Sequence, residues 1–301
     1  MENSEPVSFG RSILVPNVQD LAKKPMLALP ARYIRADQEL PIFSNTDLLP
    51  AIPVIDMQKL LYGDEMELEL DRLHMACKEW GFFQSFVLSD EQKLDWGDMF
   101  FITMLPKFFR KPHLFPKLPG NFRKTVDAYS YEVKNIAMVI LGQMEKALKT
   151  DVNEITGLFE DIIQAMRMNI ILRVLYQRRS LSMKEGLQIR NQGMWIPIKP
   201  LPNAFIVNVG DILEIISNGT YRSIEHCSTV NNVKERLSIA TFHNPSYDSE
   251  FGPLRSLVTQ SSPALFKSIT TADYIKGVFE RRLAGKSYID EMKIGNEKDS
   301  I

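Results

Sequence analysis

From Met66 to Trp80 the apolar residues Met66, Leu70, Leu73, Cys77 and Trp80 recur at steps of four, three, four and three, which places them on one helical face. Phe122, Val126, Tyr129, Val133, Ile136 and Ile140 keep the same spacing and continue toward Met144 and Leu148, predicting a long second helix. A further helix is expected over Ile155 to Met166. Two short apolar runs read instead as strands, Ile52-Pro53-Val54-Ile55-Asp56 and Gly81-Phe82-Phe83-Gln84. The second meets the polar Ser89-Asp90-Glu91-Gln92-Lys93 almost at once, before it has paired with anything.

The C-terminal half changes period. Ala204-Phe205-Ile206-Val207-Asn208-Val209-Gly210 alternates as a strand does, and Asp211 is placed to cap a short helix ending at Asn218-Gly219. Tyr221 to Val230 and Arg236 to Phe242 read as two strands joined through Asn231-Asn232, which suit a tight turn. Residues 1 to about 50 carry Pro6, Pro16, Pro25, Pro30, Pro41 and Pro50, leaving room for short helices only, so this stretch reads as an arm over the domain surface.

Composition narrows the class without naming it. The 301 residues are 45% hydrophobic and 24% charged, with 36 Lys and Arg against 37 Asp and Glu, the proportions of a globular protein with no charge bias toward nucleic acid or anionic membrane. No run approaches the ~18 apolar residues of a membrane span, and the first residues lack a basic flank and apolar stretch, so a cytoplasmic protein is expected. Two cysteines, Cys77 and Cys227, make no disulfide framework for a chain this long. Asn218-Gly219-Thr220 matches a glycosylation acceptor and reads as a turn.

Candidate chemistry is sparse. His74 and Cys77 stand three apart on the first helix and could share a metal, but no second ligand pair accompanies them, and helix packing explains both. Arg236 and Ser238 are two apart on one strand face, where a guanidinium and a hydroxyl form a reasonable clamp for a carboxylate. A histidine ten residues upstream, His226, is expected on the neighbouring strand of the hairpin, where it could hold a metal beside that carboxylate.

The wording of the chain adds more. Ile52-Pro53-Val54-Ile55-Asp56, Ala76-Cys77-Lys78-Glu79-Trp80-Gly81-Phe82-Phe83-Gln84, Arg110-Lys111-Pro112-His113-Leu114-Phe115-Pro116, Gly186-Leu187-Gln188-Ile189, Val207-Asn208-Val209-Gly210-Asp211, Tyr221-Arg222-Ser223-Ile224-Glu225-His226 and Arg236-Leu237-Ser238 together resemble the plant 2-oxoglutarate- and Fe(II)-dependent dioxygenases, the group that includes alkaloid O-demethylases and senescence-related dioxygenases. The resemblance implies an α+β fold with a mainly β core, a double-stranded β-helix (jelly roll) wrapped by N-terminal helices. It also implies Fe(II), 2-oxoglutarate and ascorbate as cofactors and a small molecule as substrate, with neither nucleic acid nor membrane as partner. By matching positions, His226 is one histidine of the iron triad, Arg236 and Ser238 bind the distal carboxylate of 2-oxoglutarate, and Tyr221 and Phe242 lie near the pocket. It divides the chain into an N-terminal arm and helical region (1–165), a jelly-roll core (166–270) and a C-terminal helix and tail (271–301).

The pattern then breaks. The family carries an H-x-D motif between its N-Y-Y-P-P-C-P segment and its E-G-L-Q-I strand, and here only Ile170 to Lys184 separate Arg167-Met168-Asn169 from Glu185-Gly186-Leu187-Gln188, with no histidine among them. The other histidines, His74, His113 and His243, match family positions that are not ligands. The family's 2-oxoglutarate-binding tyrosine is replaced by Ile171. A family-like coding stretch for M-N-Y-Y-P-P-C-P-L-P-E-K-V-I, with one T removed after the asparagine codon, translates as Asn169-Ile170-Ile171-Leu172-Arg173-Val174-Leu175-Tyr176-Gln177-Arg178-Arg179-Ser180-Leu181, residue for residue. Ile170 to about Leu181 therefore reads as out-of-frame translation, followed by loss of the H-x-D portion, with a real, locally diverged loop as the alternative. A second gap follows Gln84; roughly 50 residues are missing there and about 15–20 at the H-x-D gap, for a chain that would otherwise be one large domain. Such losses leave unpaired sheet edges. The expectation is a family member without turnover, or else a non-catalytic remnant or a dicarboxylate-binding module without iron.

Overall fold

The computed structural model describes residues 17–23, 53–62, 64–79, 97–110, 120–171, 186–229, 235–280 and 287–295. The architecture is mixed α+β, and every strand pairing is antiparallel. After a short α1 (Val18–Ala22), helices α2 (Met57–Tyr62) and α3 (Met66–Glu79) lead to strand β1 (Gly97–Leu105), and the long α4 (Phe122–Leu148) leads to β2 (Ile163–Ile171). A second set of strands follows: β3 (Leu187–Asn191), β4 (Met194–Pro197), β5 (His226–Ser228) and β6 (Arg236–Asn244), with α5 (Asp211–Ile216) between β4 and β5. Strands β7 (Glu250–Phe251) and β8 (Ile269–Thr270) form a small pair before α6 (Thr271–Glu280) and α7 (Ser287–Met292).

The strands make three sheets, in the orders β1-β2-β6, β4-β3-β5 and β7-β8. The first is backed by α4: fully buried Met104 and Met166 pack with Ile102 and Val126, and Phe100, Phe122, Tyr129 and Met168 close the rim. The main core joins α2, α3, the C-terminal half of α4, α5 and α7 through Leu60, Leu73, Cys77, Met144, Ile215, Ile216 and Ile289. The second sheet has a small core of its own, Ile189, Ile196 and Ile198. Its β3–β4 hairpin turns through Gln192 (φ 49°) and Gly193 (φ 78°), the two consecutive positive φ values that a two-residue hairpin turn requires. No helix among the described residues is long and apolar enough to cross a membrane.

The two long helices fall where their periodicity places them. Met66 is exposed, Leu73 and Cys77 are buried, and burial pushes the Cys77 thiol up to about 12. Trp80, the Gly81–Gln84 strand, His113 and Leu172 to Lys184 lie outside the described residues, as do most of residues 1–50.

Several expectations are corrected. Ile155 to Met166 is not a helix; a single tight turn over Thr156–Phe159 leads into β2. The Glu145 carboxylate accepts the Ile155 N–H at 2.7 Å and fixes that turn, while Ile162 to Arg167 are buried on both faces, the mark of a central strand. Pro53 to Asp56 pairs with no strand; Asp56 instead caps α2, its Oδ1 accepting the Gln58 N–H at 2.9 Å. Gly210, not Asp211, is the N-cap of α5, and Asp211 is a first-turn residue accepting the Tyr274 hydroxyl at 3.2 Å. Residues 204–208 form no strand and are exposed throughout, with Phe205, Ile206 and Val207 at 60%, 46% and 54%. Of the strand expected over Tyr221 to Val230, the described residues form a strand over His226–Ser228, which pairs with β3, while Val230 lies outside them. β5 and β6 therefore belong to different sheets rather than to one hairpin, because β6 finds its partner in β2.

On the α4 side of β6, His243 lies opposite Gln164. The Gln164 side-chain amide donates to the Ser130 carbonyl at 2.9 Å and lies 3.0 Å from His243 Nε2, and the Ser130 hydroxyl donates to Gln164 Oε1. Burial, helped by the Lys134 charge, pushes the His243 pKa down to about 4. A folded state that resists protonation loses stability as pH falls from about 6.5, where the unfolded histidine takes its proton, to about 4, where the folded one does. Urea melts at stepped pH should show this decline in the wild-type chain and a shallower one in His243→Gln; equal slopes would remove His243 as its source.

Candidate functional site

Strand side chains alternate faces, so the register of the β1-β2-β6 sheet sorts its residues into two sets. Met166 and Met168 face α4. Arg167 and Asn169 face the other way, joined by their direct partners Ala240 and Ser238 on β6 and Phe101 and Met99 on β1. Arg236, opposite Ile171, and Phe242, opposite Ala165, lie on this same face. A single surface thus holds two guanidinium groups, an amide, a hydroxyl and partly exposed Phe101 and Met99.

Arg167 is 5% exposed, and its Nε donates to Asn169 Oδ1 at 2.6 Å. Its side chain therefore leans along the strand toward the Ser238 position. Arg236 reaches toward the second sheet, Nη1 donating to Ser228 Oγ at 3.3 Å. Its stem lies across Gly186, where an added Cβ would stand 2.5 Å from Arg236 Cδ and 3.0 Å from Nε. Burial lowers the Arg236 pKa from its ordinary value without threatening its charge.

His226 is half-buried on β5 and shares a sheet face with its partner Ile189. Burial first, then the Arg167 charge, pushes its pKa down to about 3, against a backbone hydrogen bond at Ile224 that favours the charged form. The imidazole is neutral at physiological pH, the form that binds metals. A dication there would share its surroundings with a guanidinium.

The structure brings Arg236, Ser238 and Phe242 onto one face, with His226 near it across the gap between sheets. Tyr221 is placed elsewhere. It is fully buried in the main core, its hydroxyl 3.1 Å from His74 Nδ1 and donating to the Met144 carbonyl at 3.5 Å. That contact accounts for His74, and Cys77 is a core thiol, so the packing reading of this helix pair holds. Arg167, Asn169 and Gly186 are the residues the sequence reading used only as landmarks. Reading 163–171 as a strand would have exposed the Arg-x-Asn alternation.

An iron of the expected kind needs two histidines and a carboxylate with open positions beside them. Of the four histidines, His74 is engaged with Tyr221 and His243 sits on the opposite, α4-facing side with Gln164; His113 lies outside the described residues. Among the described residues no three His, Cys, Asp or Glu side chains stand close enough to hold a metal. These residues do not fit the iron. Arg236, Ser238 and Asn169 share one face of the sheet, with Asn169 directly opposite Ser238.

Gly186→Ala tests the packing of that set. The added methyl should displace the Arg236 side chain and break its bond to Ser228 while leaving the backbone in place, since the group that must yield belongs to a flexible side chain. A crystal structure of the variant with Arg236 unmoved would contradict this.

Comparison with known proteins agrees with the geometry. The family described as the 2OG-Fe(II) oxygenase superfamily matches residues 160–245. The chain is 44% identical to oxoglutarate-dependent flavonoid 7-O-demethylase 1 of Ocimum basilicum, covering 97% of this chain and 95% of that one, and 40% identical to thebaine 6-O-demethylase of Papaver somniferum, covering 98% and 100%. The structure superposes on JOX2, solved in complex with 2OG, Fe and JA, with a TM-score of 0.79 and 26% identity over 94% of this chain and 98% of that one. In the first comparison 97% of a 301-residue chain is spread over 360 aligned positions, so roughly 70 positions carry no residue of this chain. The sheets, their wrapping helices and these relatives lead to one conclusion: the chain is a jelly-roll protein of the 2OG-Fe(II) oxygenase superfamily.

Proposed function

We propose that this chain is a catalytically impaired 2OG-Fe(II) oxygenase. In this reading it keeps Arg236 and Ser238 as the clamp for the distal carboxylate of 2OG, Phe242 beside them, and His226 as the remaining metal-type histidine. The H-x-D pair is gone. The observation that carries the reading is the placement of the histidines, since His74 and His243 are each committed to partners away from the His226 side. One imidazole leaves most of a metal's coordination to water and ligand oxygens, so affinity falls steeply. Arg167 adds Coulomb repulsion toward any dication at His226.

On this reading the lineage hydroxylates or demethylates a small plant specialised metabolite with Fe(II), 2OG and ascorbate in the cytoplasm, and the names of its demethylase relatives support the substrate class. We keep the three-part division at 165/166 and 270/271. Loss of roughly 70 aligned positions matches the two internal gaps in total, and out-of-frame translation over Ile170 to about Leu181 accounts for the second. A non-catalytic remnant is the limiting case of the same reading.

Purified protein given Fe(II), ascorbate, oxygen and carboxyl-labelled 2OG should release no labelled carbon dioxide above a protein-free blank; clear, enzyme-dependent release would overturn the proposal. Sequencing the locus and its transcript should show the displaced frame after the Asn169 codon. A spliced, in-frame message encoding these same residues through Leu181, with no family-like reading in the next frame, would end that explanation.

A further inference from the structure

We propose that the outer edge of β6 is an interface between two copies of this chain, in which residues 204–208 of each copy add to β6 of the other as an antiparallel strand.

Each copy carries both halves of the pairing. β6 is the last strand of the β1-β2-β6 sheet, so one row of its backbone N–H and C=O groups meets no strand among the described residues. Residues 204–208 alternate as a strand does yet pair with none, and from Phe205 to Asn208 the backbone makes no hydrogen bond to other backbone among the described residues. Edge strands that stay alone are guarded by charges, prolines or bulges. This edge has none of these: Leu237 to Asn244 hold no Pro, Lys, Arg, Asp or Glu, and their ladder to β2 runs in unbroken register. His243, with its pKa pushed down to about 4, adds no charge at physiological pH. Residues 201–210 are equally uncharged.

The hydrophobic pattern chooses the register. Leu237 lies opposite Ile170 and Ile239 opposite Met168, on the α4-facing side of the sheet, but α4 leaves them 69% and 48% exposed. Phe205 and Val207, 60% and 54% exposed, stand two apart and so share a face once the segment is a strand. Setting Phe205 opposite Ile239 and Val207 opposite Leu237 joins the four into aromatic and branched cross-strand pairs and leaves Ile206 opposite Ser238. Two-fold symmetry makes the exchange reciprocal, so it closes at two copies instead of running on as a fibre. Together with Ile206, these side chains present on the order of 1,000 Å² over two copies, the size at which specific interfaces begin. A second copy suits the edge better than a foreign peptide, because strand and edge then come in equal number from one sequence.

The test is light scattering coupled to size exclusion on the full chain, over a dilution series of roughly two decades. The chain should be a dimer at the concentrated end. Leu237→Lys and Val207→Lys should each weaken dimerisation by roughly tenfold or more, since each puts a charge at two places in the interface. Oxidation reads the register: the double variant Val207→Cys with Leu237→Cys should give a disulfide-linked dimer on a non-reducing gel, and neither single variant should. A monomer at every concentration, a dimer indifferent to both lysines, or an assembly that grows without plateau overturns the proposal. So does a double variant that oxidises within one chain, since residues 204–208 would then pair with their own β6. Should a lysine variant fail to fold, the cross-link decides.

Discussion

The packing of α4 against one face of the β1-β2-β6 sheet is the constraint on which the rest depends. Met104 and Met166 are both fully buried there, each stabilising the fold by about 1.5–3 kcal/mol relative to exposure. Because β-strand side chains alternate, fixing Met166 and Met168 inward fixes Arg167 and Asn169 outward. A one-residue slip would exchange the two sets and bury the guanidinium against Val126. The register that places the polar face is therefore held by hydrophobic contacts that never touch a ligand.

This explains which parts of the molecule were legible from the amino-acid order. α3 and α4 carry a 3.6-residue repeat long enough to be unambiguous, and both form. β2 carries no such signal, because Ile162 to Arg167 are buried on both sides and a continuous apolar run suits a short helix as well as a central strand. The 204–210 alternation is real, yet a strand needs a partner, and no local pattern reports whether one exists. Asn231-Asn232 is turn-like, but β5 and β6 are claimed by β3 and β2, partners distant in sequence.

The site divides along the same line. Arg236 and Ser238 were visible because two residues of complementary chemistry alternate within a single strand. Arg167 and Asn169 alternate just as clearly, but became meaningful only once β2 was known to lie beside β6. Gly186 could not have been read at all, since its importance is the closeness of the Arg236 stem. Family wording identified the fold, while geometry placed Arg167 and Arg236 on one sheet face, with burial and the Arg167 charge holding the His226 pKa low.

Residues 201–208 carry a different consequence. Leu201, Phe205, Ile206 and Val207 are each between 46% and 60% exposed in a segment that pairs with no strand. Short extended apolar runs are what chaperones and proteases recognise when they separate unfinished chains from finished ones. The apolar run at 201–208 is thus a surface open to that triage.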